Sequence, residues 1–315
     1  MELISLLGAM TTTGFVSVAA AQYLSKRLLD HRLSKDLKDY DASLSEKLAE
    51  GEAHLKKEIE EYLGERSADR AYRAEAKKRL YLAVGPLRFQ LLVAAAELVN
   101  RIARIGDGKY TYDMSIKGYV GQSTAYRLLR VLAVSELVER QIAYADFAVD
   151  PDMRSLLRFK RQAFLSLSSS RVSLGHPSED WTRQEQHIFY DVLGIIASSL
   201  IVLDTPSSPG RVIRFDEFSA MVADKDFVHR LDPVPRLING FSITTKSILW
   251  IRLLTLAQLC IGLLENHGKE LGLEIDQIDI DHTLKMTEDT HVRNNLSGYR
   301  DAIASFRLSM SKAEA

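Results

Sequence analysis

The chain opens with a long stretch that carries no charged side chain. No Asp, Glu, Lys or Arg occurs between Leu3 and Ser25. A helix of that length, at about 1.5 Å per residue, reaches about 34 Å and is long enough to cross the ~30 Å hydrocarbon layer of a bilayer. Its Ser and Thr hydroxyls are tolerated in a membrane helix because they bond to the backbone carbonyl one turn back. We therefore predict a transmembrane anchor at residues 1–25.

Two other interpretations of this stretch stay open. Ala19-Ala20-Ala21 is similar to a signal-peptidase site, although Glu2 stands where a secretory signal carries basic residues. A soluble N-terminal helix is the second, because the span is only moderately apolar. Under the anchor interpretation, Lys26 and Arg27 follow the span directly, so the positive-inside rule places the N-terminus outside and the rest of the chain in the cytoplasm.

Small residues recur at every fourth position of the predicted anchor. Such a row lets membrane helices approach closely, and its hydroxyls add hydrogen bonds between helices. We expect a transmembrane packing face, the alternative being a chance row in a segment rich in Ala, Ser and Thr. The row consists of Ser5, Ala9, Thr13, Ser17, Ala21 and Ser25.

Residues 26–79 change character and predict a long charged helix. They hold 14 Lys or Arg and 13 Asp or Glu, and no Pro. Their apolar residues are spaced by repeated steps of 4, 4 and 3. This is an eleven-residue repeat of about 3.67 residues per turn, which predicts a straight or slightly right-handed coiled coil. The predicted seam is Leu29, Leu33, Leu37, Tyr40, Leu44, Leu48, Leu55, Ile59 and Tyr62, with Gly51 at the intervening position.

The narrow apolar stripe favours a coiled-coil stalk that joins copies of the chain. The alternative is a single solvated helix held by ion pairs between residues four apart, such as Glu52–Lys56 and Glu75–Arg79. The two interpretations differ in whether the stripe is covered by a second chain.

Several short runs carry a resemblance to a known class of protein. They are Lys-Arg-Leu-Leu-Asp-His-Arg-Leu at 26–33, Arg79-Leu80-Tyr81, and Tyr-x-x-x-Ser-Thr-x-Tyr-x-Leu from Tyr119 to Leu128. With the Glu/Lys-rich helix, they resemble uncharacterised bacterial membrane-anchored proteins that have an N-terminal transmembrane helix, a charged helical stalk and a helical C-terminal domain. The resemblance covers most of the chain and implies this architecture and a bacterial origin. We therefore expect the anchor to lie in the inner (cytoplasmic) membrane. It implies no activity and no functional residues.

Residues 80–315 have the composition of a globular helical domain. Two apolar runs, 188–203 and 248–264, each contain a charge, Asp191 and Arg252, and are too short to span a bilayer, so we predict buried core helices. The fold class expected is all-α: a transmembrane anchor, a coiled-coil stalk and a cytoplasmic helical bundle.

Local start and stop signals place the helices of this domain. Gly85-Pro86 is expected to end the stalk helix. Ser123 and Thr182-x-x-Glu185 are typical helix caps, and Thr244 or Thr245 is a third. The expected helices are 86–105, 124–147, 151–170, 182–202, 244–265 and 285–310, with short helices or turns at 211–240.

Composition and motifs limit the classes of function that the sequence supports. A net charge of -1 gives no bulk electrostatic reason to expect nucleic acid as a partner. The sequence contains no Walker A motif, dinucleotide-binding glycine fingerprint, Gly-x-Ser-x-Gly or His-Glu-x-x-His. The single cysteine, Cys260, excludes an internal disulfide and lies in an apolar run, where a buried inert thiol is expected.

Three groups of polar residues are candidates for a metal, catalytic or ligand-binding site. Six potential metal ligands more simply form a solvated loop, since an EF-hand needs a glycine that this segment lacks. A trio on one predicted helix has the spacing for acid–base work but is more often a polar helix face. A Tyr-rich loop can bind a ligand or cover the edge of the core. The groups are Asp276, Asp279, Asp281, His282, Glu288 and His291; Glu185, His187 and Asp191; and Tyr110, Tyr112 and Tyr119 with Lys109 and Lys117.

We therefore expect no catalytic residue, no cofactor and no bound metal. The expected function is that of a non-enzymatic, membrane-anchored interaction or scaffold protein. It would self-associate as a homo-oligomer through anchor and stalk and engage a cytoplasmic protein through residues 80–315. The alternative is a membrane-perturbing effector of a bacterial stress or phage-defence system, motivated by the Thr-rich span. An enzyme stays open as a third class, because a catalytic site in a helical bundle leaves little trace in one sequence.

Overall fold

The computed structural model describes residues 2–108, 113–142, 150–204 and 210–311, and describes side chains from Ala21 onward except at 151, 152 and 311. The chain is 76% helical with almost no strand, which confirms the predicted all-α class. It divides into two compact units, Met1–Tyr72 and Arg73–Ala315.

The first unit is helical throughout its described residues. They belong to α1, which spans Glu2–Gly106 and continues into the second unit. Every described side chain from 21 to 72 is exposed. The helix in this unit therefore has no tertiary core of its own.

Over its described residues, the second unit is a helical bundle with one small strand pair. β1 and β2 are antiparallel, with Ile201 opposite Val212 and Val202 opposite Arg211. After α1, the elements are α2 (Tyr119–Ile142), α3 (Pro151–Ser168), α4 (Ser170–Ser173), α5 (Tyr190–Ser199), β1 (Ile201–Val202), β2 (Arg211–Val212), α6 (Phe215–Met221), α7 (Lys225–Arg230), α8 (Val234–Ile238), α9 (Ser247–His267), a 3-10 turn (Lys269–Leu271), α10 (Ile280–Lys285), α11 (Thr290–Asn294) and α12 (Leu296–Ser311).

Helix α9 is the centre of the core. Its residues from Ser247 to Leu264 are all buried. It packs against α12, α3 and α4, while α2 packs against α3 and α5. Burial of an aliphatic side chain contributes about 1.5–3 kcal/mol, so a helix that is apolar on all sides is stable only at such a central position.

Two helices of the described chain are long and apolar enough to cross a bilayer by length and composition. One is the Ala21–Gly106 part of α1, whose most apolar stretch is half buried, and the other is α9, whose most apolar stretch is wholly buried. The predicted core helix at 248–264 is thus found in α9. The run 188–203 is only partly helical, because β1 follows α5.

The predicted helix break at Gly85-Pro86 is wrong, because α1 passes through Pro86 without interruption. Proline within a helix crowds the carbonyl one turn earlier and removes one hydrogen bond. That carbonyl belongs to Leu82, whose side chain is 71% exposed. Val84 and Leu87, on either side of the proline, are buried in the core. Packing of the flanking turns therefore outweighs the local cost.

The expected cap at Ser123 is also wrong. Helix α2 begins at Tyr119, so Ser123 lies inside it and is buried. The Ser123 hydroxyl accepts hydrogen bonds from Arg127 and, at 3.1 Å, from Arg101. A Cβ atom at Gly121 would lie 2.1 Å from the Ser115 carbonyl oxygen, so the first turn of α2 closes on the preceding loop only with glycine there.

The helix predicted from Thr182 starts eight residues later, at Tyr190. Asp180 accepts hydrogen bonds from the Thr182 amide at 2.8 Å and from its hydroxyl at 2.6 Å. Both groups are thus used in a turn rather than in a helix cap. Gln184 accepts from the Phe189 amide at 2.9 Å and extends the non-helical segment.

Two further boundaries differ from expectation. Helix α9 begins at Ser247 because the Thr244 carbonyl accepts from the Glu288 amide at 3.1 Å, which holds Thr244 outside the helix. The single helix expected at 285–310 is divided into α11 and α12. Asp289 accepts from the amides of His291 and Val292 and so starts a new helix inside that range.

Candidate functional site

The predicted seam of the stalk is exposed along its whole length. Exposure ranges from 44% at Leu44 to 64% at Tyr40. Ion pairs between exposed side chains lie beside the row, such as Lys57–Glu61 at 3.9 Å. Pairs of this kind contribute only about 0.3–0.5 kcal/mol each. The row is therefore an apolar surface exposed to water, and the neighbouring ion pairs add little to the stability of the single helix.

The predicted anchor face is described only at its end. Ser5, Ala9, Thr13 and Ser17 lie outside the residues with described side chains. Ala21 and Ser25 are exposed and line one shallow groove with Leu29 and Leu33 of the seam. The small-residue row and the apolar row thus meet on one side of the helix.

The second unit holds a buried ionic cluster that the sequence analysis did not identify. Arg252 is fully buried in α9, and its guanidinium donates a short hydrogen bond to Glu179, whose side chain is 2% exposed. The same guanidinium donates to the carbonyls of Ser169 at 2.9 Å and Ser166 at 3.4 Å. Glu179 also accepts from the Ser173 hydroxyl. These contacts fasten the end of α3, α4 and the loop at 175–180 to the central helix.

His187 completes this cluster. Its Nδ1 lies 3.9 Å from the Glu179 carboxylate, and its ring packs on Trp181 with centroids 4.3 Å apart. Burial, and secondly the positive charge of Arg252, lower the pKa of His187 below its usual range. His187 is therefore neutral at pH 7.

The acid–base trio is not assembled as predicted. His187 is buried, while Glu185 and Asp191 are exposed. His187 lies in the non-helical segment before α5, and Asp191 lies in the first turn of that helix. The carboxylate facing His187 is Glu179, which comes from the preceding loop.

A second polar chain joins that loop to α11. His176 Nε2 lies 2.8 Å from Asp289, and its Nδ1 lies 2.8 Å from the Ser178 hydroxyl. The order Ser–His–Asp is that of a hydrolase triad. The Ser178 amide also donates to the same Nδ1 at 3.2 Å, and Asp289 accepts from Ser247 at 2.6 Å. Both His176 nitrogens are thus used in hydrogen bonds that hold a local turn and, through Asp289, the start of α9. This arrangement has a structural role.

The six potential metal ligands have separate roles. Asp276 pairs with Arg104 at 3.7 Å, Asp281 pairs with Arg300 at 3.4 Å, and Asp279 caps α10. His291 packs on the ring of His176 at 4.7 Å. The backbone amide of His282 donates to the capping Asp279 carboxylate, and that of Glu288 donates to the Thr244 carbonyl. Within the described ranges, the structure brings together no group of three or more His, Cys, Asp or Glu that could hold a metal ion.

Lys109, Tyr110 and Tyr112 of the Tyr-rich loop lie outside the described residues. Tyr119 is exposed and packs edge-on against Phe215 at 5.9 Å. Cys260 is fully buried, and burial raises the pKa of its thiol. The thiol is therefore protonated and inaccessible in the folded chain.

Lys117 lines a large open groove of about 830 Å³ between the start of α2 and helices α6–α8. Its lining includes the apolar side chains of Val222 and Val228. The Arg236 guanidinium, also in the lining, lies 3.4 Å from the Asp232 carboxylate. A groove of this size with both apolar and polar lining residues suits a partner side chain or a small ligand.

No protein-family model, no curated protein and no solved structure matches the chain. Inferences about its function rest on its own residues.

Proposed function

We propose that the chain is a non-enzymatic, membrane-anchored scaffold that self-associates through its first unit and engages a cytoplasmic protein through its helical domain. One observation carries the proposal: the row of nine regularly spaced apolar side chains that is exposed along the stalk. Apolar surface of this extent in water favours association, because each buried CH₂ group contributes about 0.8 kcal/mol.

A second copy of the chain is the partner that best fits the row. Charges of both signs flank the seam in nearly equal number, so identical helices can approach without net repulsion. An eleven-residue repeat keeps the row on one side of the helix and suits a long, nearly straight coil. Copies anchored in one membrane in the same orientation would be parallel and in register.

The anchor is proposed to take part in the same association. Ala21 and Ser25 lie on the groove that also contains Leu29 and Leu33, so the small-residue row would continue the seam into the membrane. Small residues let such helices pack closely in lipid.

The proposed location is the bacterial inner membrane, crossed once, with the C-terminal domain in the cytoplasm. Its support is the basic pair Lys26-Arg27 directly after the uncharged span. A reporter that is active only in the cytoplasm should function when fused after Ala315. A reporter active only in the periplasm at that position would contradict the orientation.

Cross-linking of the full chain in membranes tests the self-association. We expect Leu37→Glu, Leu44→Glu and Leu55→Glu together to abolish a defined cross-linked oligomer, because buried charges at a seam are strongly unfavourable. Ala42→Glu, Ala49→Glu and Ala53→Glu add the same charge on the other side of the helix and are the matched control. Equal cross-linking of both variants, or a monomeric wild type, would contradict the proposal.

The alternative function, a membrane-perturbing effector, rests on the Thr-rich span alone. It predicts that overexpression is toxic and that toxicity depends on residues 1–25. A scaffold predicts growth that is insensitive to removal of that segment.

A further inference from the structure

A second cavity, of about 630 Å³, lies between α3, α4 and α12 on the helical unit. It is separate from the 830 Å³ groove and from the stalk. Its volume falls within the range of pockets that hold small organic molecules. The polar side chains that line it come from all three helices or their junctions: Arg161, Gln162, Ser169, Arg171, Ser305 and Ser309.

The charge of this cleft has one sign. Arg161 and Arg171 both line it, and no Asp or Glu does. Within the described parts of the chain, neither arginine has a carboxylate within 4.0 Å, whereas Arg130, Arg211 and Arg307 of the same unit each have one. The larger groove differs because an acidic residue, Asp232, lines it and pairs with its Arg236. Both side chains are exposed at the cleft, and guanidinium groups without a carboxylate partner favour an anion as their ligand.

The uncharged polar groups add further hydrogen-bonding capacity. The Ser305 and Ser309 hydroxyls donate to carbonyls of their own helix, each at 2.6 Å. Those carbonyls belong to a helix, so the hydroxyls can rotate toward a ligand at small cost. The Gln162 amide supplies two more donors. Leu165 and the buried ring of Phe306 form an apolar wall beside them.

The wall that carries the two arginines is held in place by the buried ionic cluster. Arg252 donates to the carbonyls of Ser166 and Ser169, where α3 ends and α4 begins. The Ser169 hydroxyl accepts from the Arg171 amide at 3.2 Å and caps α4. The backbone from which Arg171 extends is therefore fixed before any ligand binds, which lowers the entropic cost of binding.

We infer that this cleft binds a small organic phosphate of nucleotide size. Two guanidinium groups match the charge and the fork geometry of a phosphate or diphosphate group. The apolar wall of Leu165 and Phe306 accommodates the organic part. This site is independent of the proposed scaffold function and is compatible with it as a place where a soluble signal acts on an anchored protein.

Binding of mant-ADP to the full chain in detergent micelles, followed by fluorescence anisotropy, tests the inference. We expect saturable binding that ADP displaces and adenosine does not. Arg161→Gln with Arg171→Gln should weaken binding at least about tenfold, because both charge-assisted hydrogen bonds to the phosphate are lost. Arg183→Gln removes the same charge at a side chain that is 72% exposed and outside the cleft, and it should leave binding unchanged.

Pyrophosphate separates the sources of the anion. Displacement by pyrophosphate as effective as that by ADP would show that the cleft recognises only the phosphate groups, and it would overturn the assignment to an organic phosphate. Arg161→Lys with Arg171→Lys keeps the charge and should bind more weakly than wild type, since lysine lacks the fork geometry, so the test survives if the Gln variant fails to fold. Absence of saturable binding of either anion up to about 5 mM, or equal binding by wild type and the Lys and Gln variants, would overturn the inference.

Discussion

Removal of the Glu179 carboxylate should destabilise the helical unit strongly. Its side chain is 2% exposed and accepts hydrogen bonds from both Arg252 and Ser173. Glu179→Ala leaves the fully buried guanidinium of Arg252 without a counter-charge, which costs about 3–5 kcal/mol in comparable buried pairs. For a unit of this size, each kcal/mol lowers the melting temperature by about 2–4 °C, so a decrease of about 6–20 °C is expected.

Tryptophan fluorescence isolates this unit in the full chain. The sequence contains 2 tryptophans, and Trp181 and Trp250 both lie in the second unit. Denaturant or thermal unfolding followed at this signal therefore reports on the bundle and not on the stalk. Glu185→Ala is the matched control, because that carboxylate is exposed and its removal should change stability by less than about 0.5 kcal/mol.

A paired replacement separates charge from packing. Glu179→Leu with Arg252→Met replaces both charges by apolar groups and should be less destabilising than Glu179→Ala, because no buried charge is left unpaired. A decrease of less than about 1 kcal/mol in the free energy of unfolding of Glu179→Ala would contradict the dependence of Arg252 on Glu179. It would mean that the guanidinium reaches water or another anion.

Three further results are expected. Burial and the charge of Arg252 lower the pKa of His187 below 6.5, so the folded state binds this proton less readily than the unfolded chain does. The contribution of neutral His187 to the free energy of unfolding is therefore complete above that pH and decreases below it. When unfolding is measured from about pH 8 to about pH 5, this decrease should be smaller in His187→Gln. Cys260, whose thiol pKa is raised by burial, should react with a thiol reagent only after unfolding, and rapid labelling of the native chain would contradict its placement in the core. A fragment starting at Ala71 should be soluble without detergent, helical, and monomeric or weakly associated, whereas a requirement for detergent would contradict the single-pass topology.

Periodicity predicted the elements whose environment is uniform along their length. The stalk helix repeats one pattern over many turns, and α9 is apolar on all sides, so neither needs information from distant residues. Helix-cap signals were less informative, because other side chains can form hydrogen bonds with the same capping groups. Ser123 bonds to Arg101 and Arg127 instead of capping, and Thr182 is used by Asp180.

The polar clusters depend on long-range pairing that no local pattern encodes. A charge at Arg252 within an apolar run does signal that a buried carboxylate is required, but its partner, Glu179, is 73 residues away. His176 and Asp289 are separated by 113 residues. The arginine cleft likewise arises only when α12 packs beside α3 and α4.

Disulfide formation between two copies of the stalk is a direct test of the proposed self-association. Leu44→Cys lies on the exposed apolar row, and Glu46→Cys lies two residues on, near the opposite side of the helix. The native Cys260 is buried and does not interfere. In membranes treated with a mild oxidant, a parallel in-register association predicts that Leu44→Cys gives a disulfide-linked dimer and Glu46→Cys does not, because a disulfide requires Cα atoms within about 7 Å. Equal cross-linking at both positions, or none at Leu44→Cys, would contradict the account.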